Sequence, residues 1–419
     1  MRFELKQMKQ VLFILLIIFL CSGLNAQTGA VTNVHDPCIM KCGYYYYIYC
    51  TGDRIPIRRS SDLLYWEYSG NVFRDIPSWG LQEVPGVSNI WAPDVSFFNG
   101  TYHLYYSLST FGSNRSRIGL VTNVTLNPND PDYQWIDQGK VVESNPGNNY
   151  NAIDPNIVRD GDGKIWMSFG SFWSGIKAVE IDSATGKPAN LTLYHLAGRG
   201  GGAIEAPFII NHQGAYHLFV SFDACCRGVN STYNIRVGKS ASITGPYVDF
   251  FGRPMTSGAG TLILSGGSRW KGPGHCAVYS EGDHTWLVYH TYDEQRNGTP
   301  VLRINNLIWD ESGWPVVQDT LTTAVISENK LPKSCRLEQN FPNPFNNMTL
   351  IRFDIDDSEW VILTVYGIQG NEMVRLINGP LEAGHHEIRL DASGWPSGLY
   401  FYSLHAGSDR KTGKMILLD

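Results

Sequence analysis

Five stretches of the sequence share one plan: a turn glycine, a strand alternating aromatic and aliphatic residues, a loop, and a second strand. They read "CGYYYYIYCTG", "NGTYHLYYSLST", "DGKIWMSFGSFW", "QGAYHLFVSFDA" and "GDHTWLVYHTYD", with glycines at Gly43, Gly100, Gly163, Gly214 and Gly282. Successive glycines lie 57, 63, 51 and 68 residues apart. Each interval is long enough for a four-stranded antiparallel sheet with its loops. The following strands recur as well, in "IPIRRSSDLLYWE", "SRIGLVTNVTL", "GIKAVEIDSATG", "NIRVGKSASITGPY" and "VLRINNLIWDESGWP". Helical periodicity is nowhere convincing. Four-stranded units repeated radially make a β-propeller, and closing the ring leaves few exposed sheet edges. A sandwich would not need repeats so alike. The expected architecture is therefore all-β, a five-bladed β-propeller followed by a small C-terminal β-sandwich.

A short segment before each glycine would form the innermost strand of its blade: "VHDPCIM", "WAPDVSF", "AIDPNIV", "AIEAPFI" and "GPGHCAVYS". Each carries an ionisable residue at nearly one register. Asp36, Asp94, Asp154, Glu205 and His275 stand 7, 6, 9, 9 and 7 residues before their glycines. Equivalent positions in a propeller converge on its axis, so four carboxylates and a histidine would face one cavity. Like charges drawn together out of water raise one another's pKa, at about 1.4 kcal/mol per unit, a cost that a purely structural role would not favour. Perturbed carboxylates in a cleft are a functional signal. Asp94 is one step out of phase with Asp36 and Asp154 and reads as a structural hydrogen-bonding residue.

Composition removes other classes. Lys plus Arg number 33 against 39 Asp plus Glu, and a charge of -6 with pI near 6.0 offers no basic footprint for nucleic acid. Residues 1–26 read as a secretory signal peptide, with basic residues, an apolar run from Val11 to Leu20 and small residues ending at Ala26. The run is short for a membrane anchor, and Leu20 is too bulky to precede a lipidated Cys21. The mature chain keeps seven cysteines: Cys38, Cys42, Cys50, Cys225, Cys226, Cys276 and Cys335. Their pairing cannot be read off. Adjacent Cys225 and Cys226 can close a strained vicinal disulfide or remain free thiols. A zinc site is disfavoured, because Cys38 and Cys42 lack a second well-spaced pair.

In order and spacing, "HDP", "WAPDV", "AIDPNI", "IEAPF" and "GPGH" resemble family 43 of the glycoside hydrolases. "FDACCRGVNSTYNIRVGKS" and "GSFWSGI" are most similar to its endo-α-1,5-L-arabinanases, over roughly residues 30 to 325. The resemblance implies that Asp36 is the general base, that Asp154 tunes and orients the acid, and that Glu205 is the general acid. It also implies a calcium ion held largely through water at His275, and a place near the carboxylates for Arg303. Inverting cleavage of a glycosidic bond needs an acid and a base roughly 6.5–9.5 Å apart on opposite faces of the sugar. An ionised Asp154 nearby would keep Glu205 protonated near neutral pH. Trp91, Phe111 and Trp173 lie beside the motifs, where they would stack on sugar faces. Asn151, Ile153 and Ser171 would neighbour the scissile sugar.

Exo-α-L-arabinofuranosidase or β-xylosidase action on the same scaffold is the alternative activity. A non-catalytic sugar-binding propeller would have lost Asp36, Asp154 or Glu205, and none is lost. After about Thr323 the composition shifts. Residues 326–334 read as a linker after a propeller spanning 27–325, and 335–419 as short alternating strands. "NFPNPFN", "VYGIQG", "GLYFYSL" and the closing "KMILL" resemble the C-terminal sorting domain of type IX secretion. That implies a secreted or cell-surface protein, exported through the periplasm by the type IX machinery; the family resemblance implies arabinan or arabino-oligosaccharides as substrate, and a monomer is expected.

Overall fold

Each of the five turn glycines sits where the chain reverses, and all five have positive φ, from 56° at Gly282 to 84° at Gly163 and Gly214. Only glycine adopts that conformation without strain, which fixes the hairpins at these points. The computed structural model describes residues 27–318, 336–355, 359–406 and 409–418. The expected signal peptide at 1–26 and linker at 326–334, together with Cys335, lie outside the described residues. The chain is all-β and divides into two units, Met1–Thr323 and Ala324–Asp419. Among the described residues, no helix is long and apolar enough to cross a membrane.

In the first unit each repeat is one sheet, led by the strands Cys38–Cys42, Trp91–Phe98, Asn156–Arg159, Ile204–His212 and Trp270–Glu281. Each leading strand pairs antiparallel with the aromatic strand that follows it. Thr28–Gly29 adds a short parallel edge to the first sheet, beside Tyr65–Asn71.

Leading strands of successive sheets pack on one another, and the fifth packs back on the first. Five apolar cores fill the spaces between neighbours. The first joins Tyr47 and Ile57 to Leu104 and Val121; the last joins Trp286 and Val288 to Ile48 and Trp66. The other three lie between the second and third, third and fourth, and fourth and fifth sheets. Sheets buried on both faces explain strands such as "YYYIY", where both alternating sets are apolar or aromatic. The N-terminal segment also ties into the fifth sheet: Leu302 N–H donates to the Val31 carbonyl at 2.8 Å, and Gln27 Nε2 to the Ile304 carbonyl at 3.2 Å.

Each leading strand carries, within it or two residues before it, one non-glycine residue in the left-handed region: Asp36, Ala92, Asp154, Ala206 and His275, with φ between 44° and 57°. This kink is the true common register. Asp36, Asp154 and His275 share it, whereas Glu205 precedes its kink by one residue and Asp94 follows its own by two. All five kinks are capped from the preceding sheet. The N–H groups of Ala92, Asp154 and His275 donate to Thr51 Oγ1, Ser107 Oγ and Ser221 Oγ at 2.8, 2.9 and 2.8 Å. Asp36 N–H donates to His290 Nδ1, on the fifth sheet, at 3.1 Å. At the remaining kink, Ala206 N–H donates to Asp154 Oδ2 at 3.0 Å. Unusual backbone that is over-determined in this way marks functional positions.

The second unit has two sheets, one led by Met348–Ile355 and the other containing Gly398–Ala406 and Asp409–Leu418. They share one core that includes Ile351, Phe353, Leu363, Tyr402 and Met415.

Candidate active site

The kinks bring Asp36, Asp154 and His275 to the floor of a cleft of about 1040 Å³, which Glu205 also lines. Trp91, Phe111, Asn151, Ile153, Ser171 and Trp173 line it too. Phe111 is 82% exposed at the lip, and its ring lies 5.0 Å from that of Trp91. Phe172 and Trp173 are consecutive left-handed residues, a tight turn that Phe172 N–H anchors to the Ile204 carbonyl at 2.8 Å. Arg303 is not among the lining residues. Its guanidinium lies over the Trp270 ring, 4.6 Å from the centroid. Asp94 is also absent from the cleft; its Oδ2 accepts from Ile157 N–H at 2.8 Å, tying the second sheet to the third.

The buried carboxyls are driven in opposite directions. Burial would raise Asp36, but His35 Nδ1 at 2.9 Å and His275 Nδ1 at 3.2 Å oppose it and hold the carboxyl well below the usual range. Thr51 Oγ1 also donates to Asp36 Oδ2, at 2.5 Å. Glu205 is raised, chiefly by burial, with the charge of Asp36 adding to it. Ser171 Oγ and Tyr233 Oη donate to its two oxygens at 2.8 Å each, which opposes the rise and fixes the carboxyl plane.

Asp154 is pushed up to about 8, first by burial and then by Glu205 and Asp36, against the pull of His275. Burial thus acts on Asp154 in the same direction as on Glu205. The expectation that an ionised Asp154 keeps Glu205 protonated is corrected: burial does most of that work, with Asp36 as the nearby anion.

Sequence reasoning passed over His35, Thr51, Tyr233 and His290. His35 adjoins Asp36 and was there to be weighed, but Tyr233 reaches the site from just before the third strand of the fourth sheet and His290 from the second strand of the fifth. Gly274 makes room for Tyr233, since a Cβ there would lie 1.9 Å from the ring. Cys225 and Cys226 are both free thiols on the cleft wall.

One cleft thus holds a carboxyl kept below its usual range and another raised above it, a pairing suited to taking a proton at one group and giving one at the other. Residues 30–315 match glycosyl hydrolases family 43, and the chain belongs to that family. Residues 339–418 match the secretion system C-terminal sorting domain, and the protein is a secreted one.

An extracellular endo-α-(1→5)-L-arabinanase of Bacillus subtilis is 46% identical over 289 residues, covering 67% of this chain and 87% of that protein. An extracellular exo-α-(1→5)-L-arabinofuranosidase of Cellvibrio japonicus is 40% identical over 326 residues, covering 74% and 94%. The structure of a Cellvibrio cellulosa α-L-arabinanase complexed with arabinohexaose has 41% identity and a TM-score of 0.67, covering 69% of this chain and 96% of that one.

Proposed function

We propose that this protein hydrolyses α-1,5-L-arabinan at internal bonds with inversion, as a secreted arabinan endo-1,5-α-L-arabinosidase. The opposite displacement of Asp36 and Glu205 within one cleft carries the reading. Asp36, ionised, takes a proton from water as the water attacks the anomeric carbon. Glu205, protonated, gives its proton to the departing glycosidic oxygen. Exchange with solvent then resets both groups. Asp154 positions the acid's strand by accepting from Ala206 N–H. Trp91, Phe111 and Trp173 stack on sugar rings, and Asn151, Ile153 and Ser171 neighbour the scissile sugar.

The relatives divide between endo and exo names, and the endo reading goes with the higher identity, 46% against 40%. The cyclic packing of the leading strands, with a core between every neighbouring pair, supports a five-bladed β-propeller within residues 27–325. We assign the linker to 326–334, the sorting β-sandwich to 335–419, export to the type IX machinery, and a monomeric state.

Calcium belongs beside His275. The donor set suits a hydrated hard cation: Asp36 occupies Nδ1, which leaves one ring nitrogen, and the Asp36 carboxylate supplies negative charge nearby without a protein cage. When bound, the ion contributes a fixed positive charge to the cleft. Product analysis on linear arabinan, with the anomer followed by NMR, tests the proposal. It predicts a ladder of oligosaccharides released with inverted configuration; arabinose alone would make the enzyme exo, and a retained anomer would overturn the roles of Asp36 and Glu205.

A further inference from the structure

His35 turns its two nitrogens to different tasks. Nδ1 faces Asp36 Oδ1, while Nε2 faces the cysteine pair, 3.7 Å from Cys225 Sγ and 3.7 Å from Cys226 Sγ. Two thiolates and one imidazole around a tetrahedral zinc ion, at bond lengths near 2.3 and 2.0 Å, would stand about 3.6 Å apart, sulfur to nitrogen. We propose that His35 Nε2, Cys225 Sγ and Cys226 Sγ form a binding site for a soft divalent cation of the zinc class, and that loading it inhibits the enzyme.

The surroundings complete such a site. A carboxylate on the far nitrogen of a metal-bound histidine is the usual second partner, and Asp36 fills that place. His290 Nε2 is the independent sign. Its ring is wholly buried and stacked on His35 with centroids 3.8 Å apart, and Nε2 has no hydrogen-bond partner. His290 Nδ1 accepts from Asp36 N–H, so the proton sits on Nε2, which makes that atom a donor in search of an acceptor rather than a ligand. One nitrogen of its ring lies within 4.8 Å of Cys225 Sγ, so the ring stands where a metal-bound thiolate would have a donor beside it. Tyr292 Oη, now 2.8 Å from His35 Nε2, is 3.5 Å from Cys225 Sγ and can turn its proton to that sulfur. Cys226 is exposed, which gives an ion its way in. Binding displaces the protons of His35 Nε2 and the thiols to solvent, and it sets a dication behind the residue that partners the proposed base. Thiolate and imidazole donors suit zinc over calcium, so this site is separate from the one proposed at His275.

The test is cobalt titration of the reduced full chain, in buffer containing calcium. It should give a thiolate-to-cobalt charge-transfer band that saturates at one equivalent and is bleached by zinc. Cys226→Ser and Cys225→Ser should each lose the band while keeping the wild-type melt. Zinc should lower arabinan turnover at least about tenfold in the wild type, by analogy with the 10–100-fold effects seen when metal-site partners are disturbed. Turnover of Cys226→Ser should show no such response to zinc. No band, a band that survives both substitutions, or a Cys225–Cys226 disulfide in protein purified without reductant would overturn the site. A band without loss of turnover would overturn the inhibition. The band is read whether or not arabinan is the substrate, so failure of the functional reading would show separately.

Discussion

The two units bury very different things. Around the cleft the first unit buries Asp36, Asp154 and His290, and it carries left-handed backbone at Asp36, Ala92, Asp154, Ala206 and His275. In the second unit the described buried polar residues are Asn340, Thr349, Thr364 and Ser403, none of them ionisable, and Asn347 is its one described non-glycine residue with positive φ. One unit holds charge and strain at the expense of stability, and the other packs an ordinary apolar core. That contrast separates a site of chemistry from a module whose surface is its use.

Breaking the first unit's carboxyl pair should have the largest effect. Glu205→Gln and Asp36→Asn should each lower turnover on arabinan by roughly 10²–10⁴-fold. Glu205→Gln, at a carboxyl that burial raises, should keep the wild-type melt, whereas Asp36→Asn leaves His35 and His275 without their anionic partner and should melt lower.

The pH dependence of stability sharpens the contrast. Asp154 is raised in the fold to about 8, from an unfolded value near the ordinary 3.8. Its contribution is therefore fully present below about pH 4 and is lost as pH rises through 8. Asp154→Asn should accordingly melt higher than wild type at pH 9, with the gap closing toward pH 4. A gap independent of pH would refute the buried proton.

Tyr233→Phe tests the acid's setting more gently. Its hydrogen bond favours ionised Glu205, so its loss should move the alkaline limb of kcat/KM upward by about one unit, since hydrogen bonds to charged groups are worth about 1.5–3 kcal/mol. A downward move would contradict the assignment. Smallest of all, a chain ending at Thr323 should keep its rate on soluble arabinan and a cooperative melt. Loss of affinity for polymer alone would make the second unit a binding module.

Much of this was legible in sequence because repetition leaves marks. The five glycines punctuate hairpins, and "DP" flags two of the kinks. The exact residue that bends is hidden at Glu205, since an acidic residue draws the eye and Ala206, which takes the positive φ, does not. His290 was invisible for a physical reason: it reaches Asp36 across 254 residues by ring closure, which no local pattern encodes. Arg303 was placed by resemblance, and its packing on Trp270 depends on side-chain geometry that sequence does not carry. The direction of the Asp154 shift was missed because burial, not the sign of a neighbouring charge, dominates it.

The central claim is that Glu205 is the acid and Asp36 the base, and a substrate that needs no acid tests it most directly. On an arabinofuranoside or arabino-oligosaccharide whose leaving group is a good anion, Glu205→Gln should recover most of the rate it loses on arabinan. Asp36→Asn should recover none, because water still lacks its base. Equal rescue of both variants, or rescue of Asp36→Asn alone, would contradict the assignment.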